Sequence, residues 1–267
     1  MSEETEALAA LEAAGVTDLY QWAAQTAFAR VSQDYEEAAG HDQAVVGTLA
    51  YKYFQDLFDR ATSSGKFALP DGASAQDGRD VLQQGISGDA FLHMPHFVPD
   101  AINRSNCNGS PGWALGDFRW LLQSYRFGQV DSIVWGQKSQ TKLLVARQPF
   151  ISGEVPLFSF SEFGLPEPTL IAIDDFVGTT LVLAHAFNRE NGAYEAYVGH
   201  SHEPEHWGDG SWYWRQLVAS GGAGSPGASQ IADRPLFPGT APSHDVEDAD
   251  VRLRRVEDDA ADAGEGS

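Results

Sequence analysis

Apolar residues spaced three and four apart dominate the first sixty positions of the chain. Residues 5 to 14 are rich in Ala, Glu and Leu and favour helix, and Gly15 supplies the backbone freedom of a cap. From Thr17 or Asp18 onward, Tyr20, Ala24, Ala27, Phe28, Val31 and Tyr35 mark one face of an amphipathic helix. After Gly40, Val46, Leu49, Ala50, Tyr53, Leu57 and Phe58 repeat the same period, so short connections predict an antiparallel helical pair.

The pattern changes beyond Ser63. Residues 63 to 89 are richer in Gly, Asp, Ser and Gln, with a turn at Leu69-Pro70-Asp71-Gly72, and this marks a boundary. Pro95, Pro99 and Pro111 interrupt the next stretch, which ends in the turn residues Asn106 to Gly112. Trp113 to Phe127 reads as an aromatic-rich helix, with Trp113, Phe118, Leu121, Leu122 and Tyr125 on or near one side. Val130 to Trp135 and Leu143 to Ala146 read as two strands around a polar loop, followed by strands at Leu157 to Phe163 and Thr169 to Ile173. Thr179 to Phe187 and Ala193 to Gly199 form the best-defined hairpin, joined by Asn188-Arg189-Glu190-Asn191-Gly192. Residues 220 to 229 read as a Gly/Ser linker, and the rest to Ser267 as an acidic disordered tail.

The fold expected is therefore α+β: an N-terminal helical unit, residues 1–64, packed on a mixed or antiparallel sheet drawn from residues 129 to 200. The sheet belongs to an α+β body over residues 65–219, and residues 220–267 form the tail.

Composition alters this picture in three ways. The net charge is −21 while 42% of residues are hydrophobic, so the acidity belongs to the surface of a folded body and opposes long-range attraction to nucleic acid or anionic membrane. Cys107 is the single cysteine, which excludes an intramolecular disulfide and every multi-cysteine zinc site and fits a reducing compartment, the cytoplasm. The opening residues carry Glu3, Glu4 and Glu6 where a secretion signal needs positive charge, and no apolar run has the length of a membrane span.

Charge is also uneven. Residues 101 to 153 hold Arg104, Arg119, Arg126, Lys138, Lys142 and Arg147 against only Asp117 and Asp131. Of these, Arg119, Arg126, Lys138, Lys142 and Arg147 are the candidate phosphate or nucleic-acid contacts, with Trp113, Trp120, Tyr125 and Trp135 interleaved as base stacking requires. The competing explanation is that a central segment buried among neighbours loses acids for packing reasons.

A second candidate is the run His200-Ser201-His202-Glu203-Pro204-Glu205-His206. His200, His202 and His206, with Asp174 or Asp175 at the end of an apolar run, are the donor types that hold a divalent metal. His185 shares a strand face with Leu181, Leu183 and Phe187 and reads as a hydrogen-bonded core residue, too far along the hairpin to join them. Gly199-His200-Ser201-His202 resembles the opening of the α/β-hydrolase nucleophile elbow, but Glu203 replaces the second small residue and Pro204 stands where a helix would begin. Asp131 with Gln140-Thr141-Lys142 is similar to the metal-binding pattern of restriction-type nucleases, but Gln140 follows a polar loop instead of an apolar strand. Walker, GxGxxG, HExxH and zinc-finger patterns are absent from the sequence.

The expectation is a cytoplasmic binding or regulatory accessory protein whose central Arg/Lys segment meets nucleic acid, another phosphate-bearing partner or an acidic protein. Two alternatives stand beside it: a metal-dependent hydrolase or nuclease using the His-rich loop, and a protein–protein assembly factor working through the helical pair.

Overall fold

Three amphipathic helices cover one face of a six-stranded sheet in the computed structural model, which describes residues 2–68, 79–98, 100–150, 173–204 and 210–222. The turn at residues 69–72, the strand expected at 157–163, nearly all of that at 169–173, His206 and the tail beyond residue 222 lie outside the described residues.

The helices follow the sequence pattern closely. Helix α1 (Glu3–Ala13) starts at Ser2, whose hydroxyl accepts from the Thr5 backbone, and Gly15, at φ +75°, allows α2 (Val16–Asp34) to begin almost at once. Helix α3 (Gln43–Ala61) is capped by Asp42, whose carboxylate accepts from the Val45 amide. Tyr20 meets Phe58 at 6.0 Å and Phe28 meets Phe54 at 5.6 Å, so α2 and α3 run antiparallel as expected. Two short helices, α4 (Arg79–Gln83) and α5 (Gly88–Leu92), follow.

The sheet is mixed. Its strands are β1 (Asn103–Arg104), β2 (Gly112–Leu115), β3 (Phe118–Ser124), β4 (Thr179–Phe187), β5 (Tyr194–Ser201) and β6 (Trp212–Gly221), in that spatial order. Neighbours are antiparallel except β3 and β4, which run parallel with Trp120 opposite Leu181. The predicted β4–β5 hairpin is present, with Phe187 opposite Tyr194 and Val182 opposite Gly199.

Two segments change type. Trp113 to Phe127 is strand and not helix: Trp113, Trp120 and Leu122 face the helices while Leu121 faces away. As a central strand covered on both sides, β3 carries the near-continuous apolar run that period alone cannot distinguish from a buried helix. Conversely, the strands expected at 130–135 and 143–146 are a 3-10 turn (Val130–Ser132) and two short helices, α6 (Trp135–Lys138) and α7 (Gln140–Ala146). Ser139 caps α7 by accepting from the Lys142 amide. Strand β6, unpredicted, extends the sheet past residue 200.

The two faces hold separate cores. Residues of α1, α2 and α3 pack with Trp113, Trp120, Leu181, Leu183, Phe187, Val198 and Trp214 on one side. On the other, Val130, Ile133, Trp135, Val145 and Ala146 cover Leu121, Val182, Ala184 and Ala186. Complete burial of each large apolar side chain contributes about 1.5–3 kcal/mol, and Trp113, Trp120 and Phe58 are all at 0% exposure. Among the described residues no helix is long and apolar enough to cross a membrane.

Candidate functional site

The acid-poor central segment does not form a cationic face. Arg104 pairs with Asp59 and lies 4.5 Å from the Trp113 ring. Arg147 pairs with Glu203 at the surface. Arg126 and Lys138 are exposed on different elements, one after β3 and one on α6. Arg119 and Lys142 are buried. The missing acids therefore reflect burial of the segment, the packing explanation raised by the sequence.

Three of the predicted residues nevertheless meet, around a fourth. On the sheet face opposite α1–α3, Arg119 of β3 donates to Asp174 Oδ2 at 2.5 Å and to Thr180 Oγ1 of β4 at 2.8 and 3.1 Å. Its guanidinium lies 4.5 Å from the Phe176 ring, and Asp174 Oδ1 accepts from the Phe176 amide at 3.1 Å. Cys107, fully buried beside an isolated bridge to Ser110, interacts electrostatically with Arg119, Asp174 and Lys142.

Burial sets the protonation of this cluster. It pushes the Cys107 thiol up to about 11, against the attraction of Arg119 and with support from Asp174, so the thiol stays protonated at neutral pH. It brings the Lys142 amine down to about 8, opposed by Cys107. Burial also raises Asp174, but the hydrogen bond and charge of Arg119 together with the Phe176 amide hold the carboxyl below its ordinary value. Asp174 is thus consumed by Arg119 and is not an open metal ligand.

The His-rich run divides. His200, at 0% exposure, faces the helices, and its Nδ1 bonds Glu3 Oε1 of α1 at 2.7 Å. Trp214 Nε1 donates to the same oxygen at 3.0 Å. His202 lies 4.3 Å from the Tyr213 ring. His200 and Asp174 occupy opposite faces of the sheet, so they do not share a centre, and Asp175 is exposed. Among the described residues no group of three His, Cys, Asp or Glu side chains is disposed to hold a metal, and His206 lies outside them. His185 is in the core as expected, 4.5 Å from the Phe54 ring, but its buried Nε2 has no hydrogen-bond partner among the described residues.

An unpredicted site lies on the helical side. A groove of 730 Å³ lies between α2 and the segment from Gly85 through α5; Trp22, Arg30, Asp34, Gly85, Ser87 and His93 are among its walls. Trp22 Nε1 donates to the Ala90 carbonyl at 2.7 Å and ties α5 to α2. At the Arg30 end, three cations surround one carboxylate: Arg60 Nε lies 2.7 Å, Lys66 Nζ 2.6 Å and Arg30 Nη1 3.7 Å from Asp56. Burial raises Asp56, yet hydrogen bonds from Arg60 and Lys66 keep it below its ordinary value. Asp34, the next carboxylate, accepts from the Tyr53 hydroxyl.

Sequence reading passed over this cluster because its basic residues are spread from residue 30 to 66 among acids. The available signal was the Asp56/Arg60 spacing, which puts the pair on one face of α3. No family model matches the chain, and no curated protein or solved structure matches it either.

Proposed function

We propose that this chain is a cytoplasmic binding protein whose α2/α5 groove receives a small phosphate-bearing ligand. The observation that carries the reading is the convergence of Arg30, Arg60 and Lys66 on the single carboxylate of Asp56, beside a groove of small-molecule size. At Asp56 three cations face one carboxylate, and of them Arg30 lines the groove, together with the acids Asp18, Asp34 and Asp89. Phosphate oxygens match guanidinium donors in geometry and charge.

Arg30 is the groove-wall member, with its side chain 27% exposed and its guanidinium 4.0 Å from the Tyr53 ring. Arg60 stands behind it, fixed by donation to the Leu82 carbonyl at 2.6 Å. Nucleic acid fits less well, because a duplex or strand requires a continuous cationic track and the net charge of −21 repels it.

Titration calorimetry with inorganic pyrophosphate tests the proposal. Saturable binding weakened at least tenfold in Arg30→Gln, and weakened further by added salt, is the expected result. Binding unaffected by Arg30→Gln, or its absence in the wild type, overturns the reading. Binding of single-stranded DNA abolished by Lys138→Glu but not by Arg30→Gln returns the interface to the central segment.

A further inference from the structure

Cys107 and Ser110 close a tight turn around Asn108 and Gly109. The Cys107 amide donates to the Ser110 carbonyl at 2.9 Å and the Ser110 amide to the Cys107 carbonyl at 2.8 Å. Asn108 and Gly109 both take left-handed backbone, at φ +46° and +80°, the pairing that Asn-Gly turns favour. Both are exposed, and nothing lies within 4 Å of the place a Gly109 Cβ would occupy. Among the described residues the Gly109 amide has no hydrogen-bond partner. The Asn108 side chain is held only by a 3.4 Å contact from Nδ2 to the Ile173 carbonyl, at the outer limit of a hydrogen bond.

The second Asn-Gly pair of the chain, Asn191-Gly192 in the β4–β5 turn, is held differently. Gly192 is buried and its amide donates to the Asn188 carbonyl at 2.9 Å, while Asn191 Oδ1 accepts from the Ala193 amide at 2.9 Å. An asparagine side chain is attacked by the backbone nitrogen that follows it, which must swing onto the side-chain carbonyl carbon, and glycine opposes that rotation least. At Gly192 the swing breaks two good hydrogen bonds; at Gly109 it breaks none made by the backbone.

We propose that Asn108 is a self-modifying site, converted without any other protein to aspartate and isoaspartate. The Gly109 nitrogen bonds to Asn108 Cγ, the Cγ–Nδ2 bond breaks, and ammonia leaves with the proton that the Gly109 nitrogen gives up. Water then opens the five-membered imide. Breaking the new bond to Cγ gives aspartate, and breaking the original main-chain bond gives isoaspartate, with one methylene more in the backbone. The sum is amide plus water giving acid plus ammonia, with no oxidant or reductant. Either product replaces the amide that donates to Ile173 by a carboxylate facing a carbonyl oxygen, so the turn loses its tie to the segment that carries Asp174. The site does not depend on the phosphate-binding groove.

The folded protein is aged in mildly alkaline buffer, and the amide-to-acid mass change is followed peptide by peptide. Asn108 is expected to convert at least tenfold faster than Asn191, and in guanidinium chloride the two rates should become similar, because both asparagines precede glycine. Conversion of Asn108 no faster than that of Asn191 in the folded protein, or the same preference in guanidinium chloride, overturns the proposal. Asn108→Asp reads the consequence: labelling of Cys107, the single cysteine, by a neutral maleimide should accelerate at least tenfold, and an unchanged rate rejects the loosening.

Discussion

Glu3 and His200, 197 residues apart, are joined by a 2.7 Å hydrogen bond that fastens the first turn of α1 to β5. Trp214 uses the same carboxylate oxygen from β6, so one acidic side chain connects a helix to two strands. Glu3→Ala leaves two buried donors without that acceptor and is expected to cost about 2–3 kcal/mol. Glu12→Ala, on the exposed side of the same helix, should stay within about 0.5 kcal/mol of the wild type. Urea midpoints of the two variants check the difference.

Arg119 and Asp174 form a hydrogen-bonded ion pair with a buried guanidinium and a half-buried carboxylate, and either partner alone is expensive to remove. Asp174→Ala should cost about 3–5 kcal/mol, because it strands a guanidinium at 1% exposure. The double replacement Arg119→Met/Asp174→Leu should cost less than Asp174→Ala. Because the folded Asp174 carboxyl lies below its unfolded value of 3.8, the pair's contribution is complete above that value and is lost as pH falls through the folded one. Asp174→Asn should therefore flatten the acid limb of a stability–pH curve; an unchanged acid limb rejects the assignment.

His185 supplies a different pH dependence. Burial, reinforced by the charge of Lys142, pushes its imidazole down to about 3 from 6.5, so the native state keeps it neutral while the unfolded chain takes up a proton. Stability should be insensitive to this group above its unfolded value. Below it, stability should fall by about 1.4 kcal/mol per pH unit until the folded value is reached. His185→Phe, which preserves an aromatic ring against Phe54, should remove that slope in chemical denaturation measured from pH 7 to pH 4.

The helices were legible in the sequence because α2 and α3 each keep one wet face, so their apolar period survives. Strand β3 was not, since both its faces are covered and alternation disappears under a run of Trp120, Leu121 and Leu122. Strand β6 is obscured by two register shifts against β5, which leave Tyr213 and Val218 out of step. At the candidate sites, sequence reading selected Arg119 and Lys142 as phosphate contacts, with burial of the segment as the competing explanation, and Asp174 as a metal ligand, because composition reveals a scarcity of acids but not which face of a sheet causes it. The Arg30, Arg60 and Lys66 group escaped notice because Asp56 lies among them in sequence as well as in space.

The single parallel pairing in the sheet has a consequence for assembly. Strands β1 to β3 and β4 to β6 are two antiparallel meanders, each made from near neighbours in the chain, whereas joining β3 to β4 requires a long crossover. That seam is expected to close last in folding, and Arg119 reaching from β3 to Thr180 on β4 is a polar staple across it. Gly178 guards the same junction: any side chain there would place Cβ 2.2 Å from the Asp117 carbonyl oxygen, wedging the two half-sheets apart at the point where they first align.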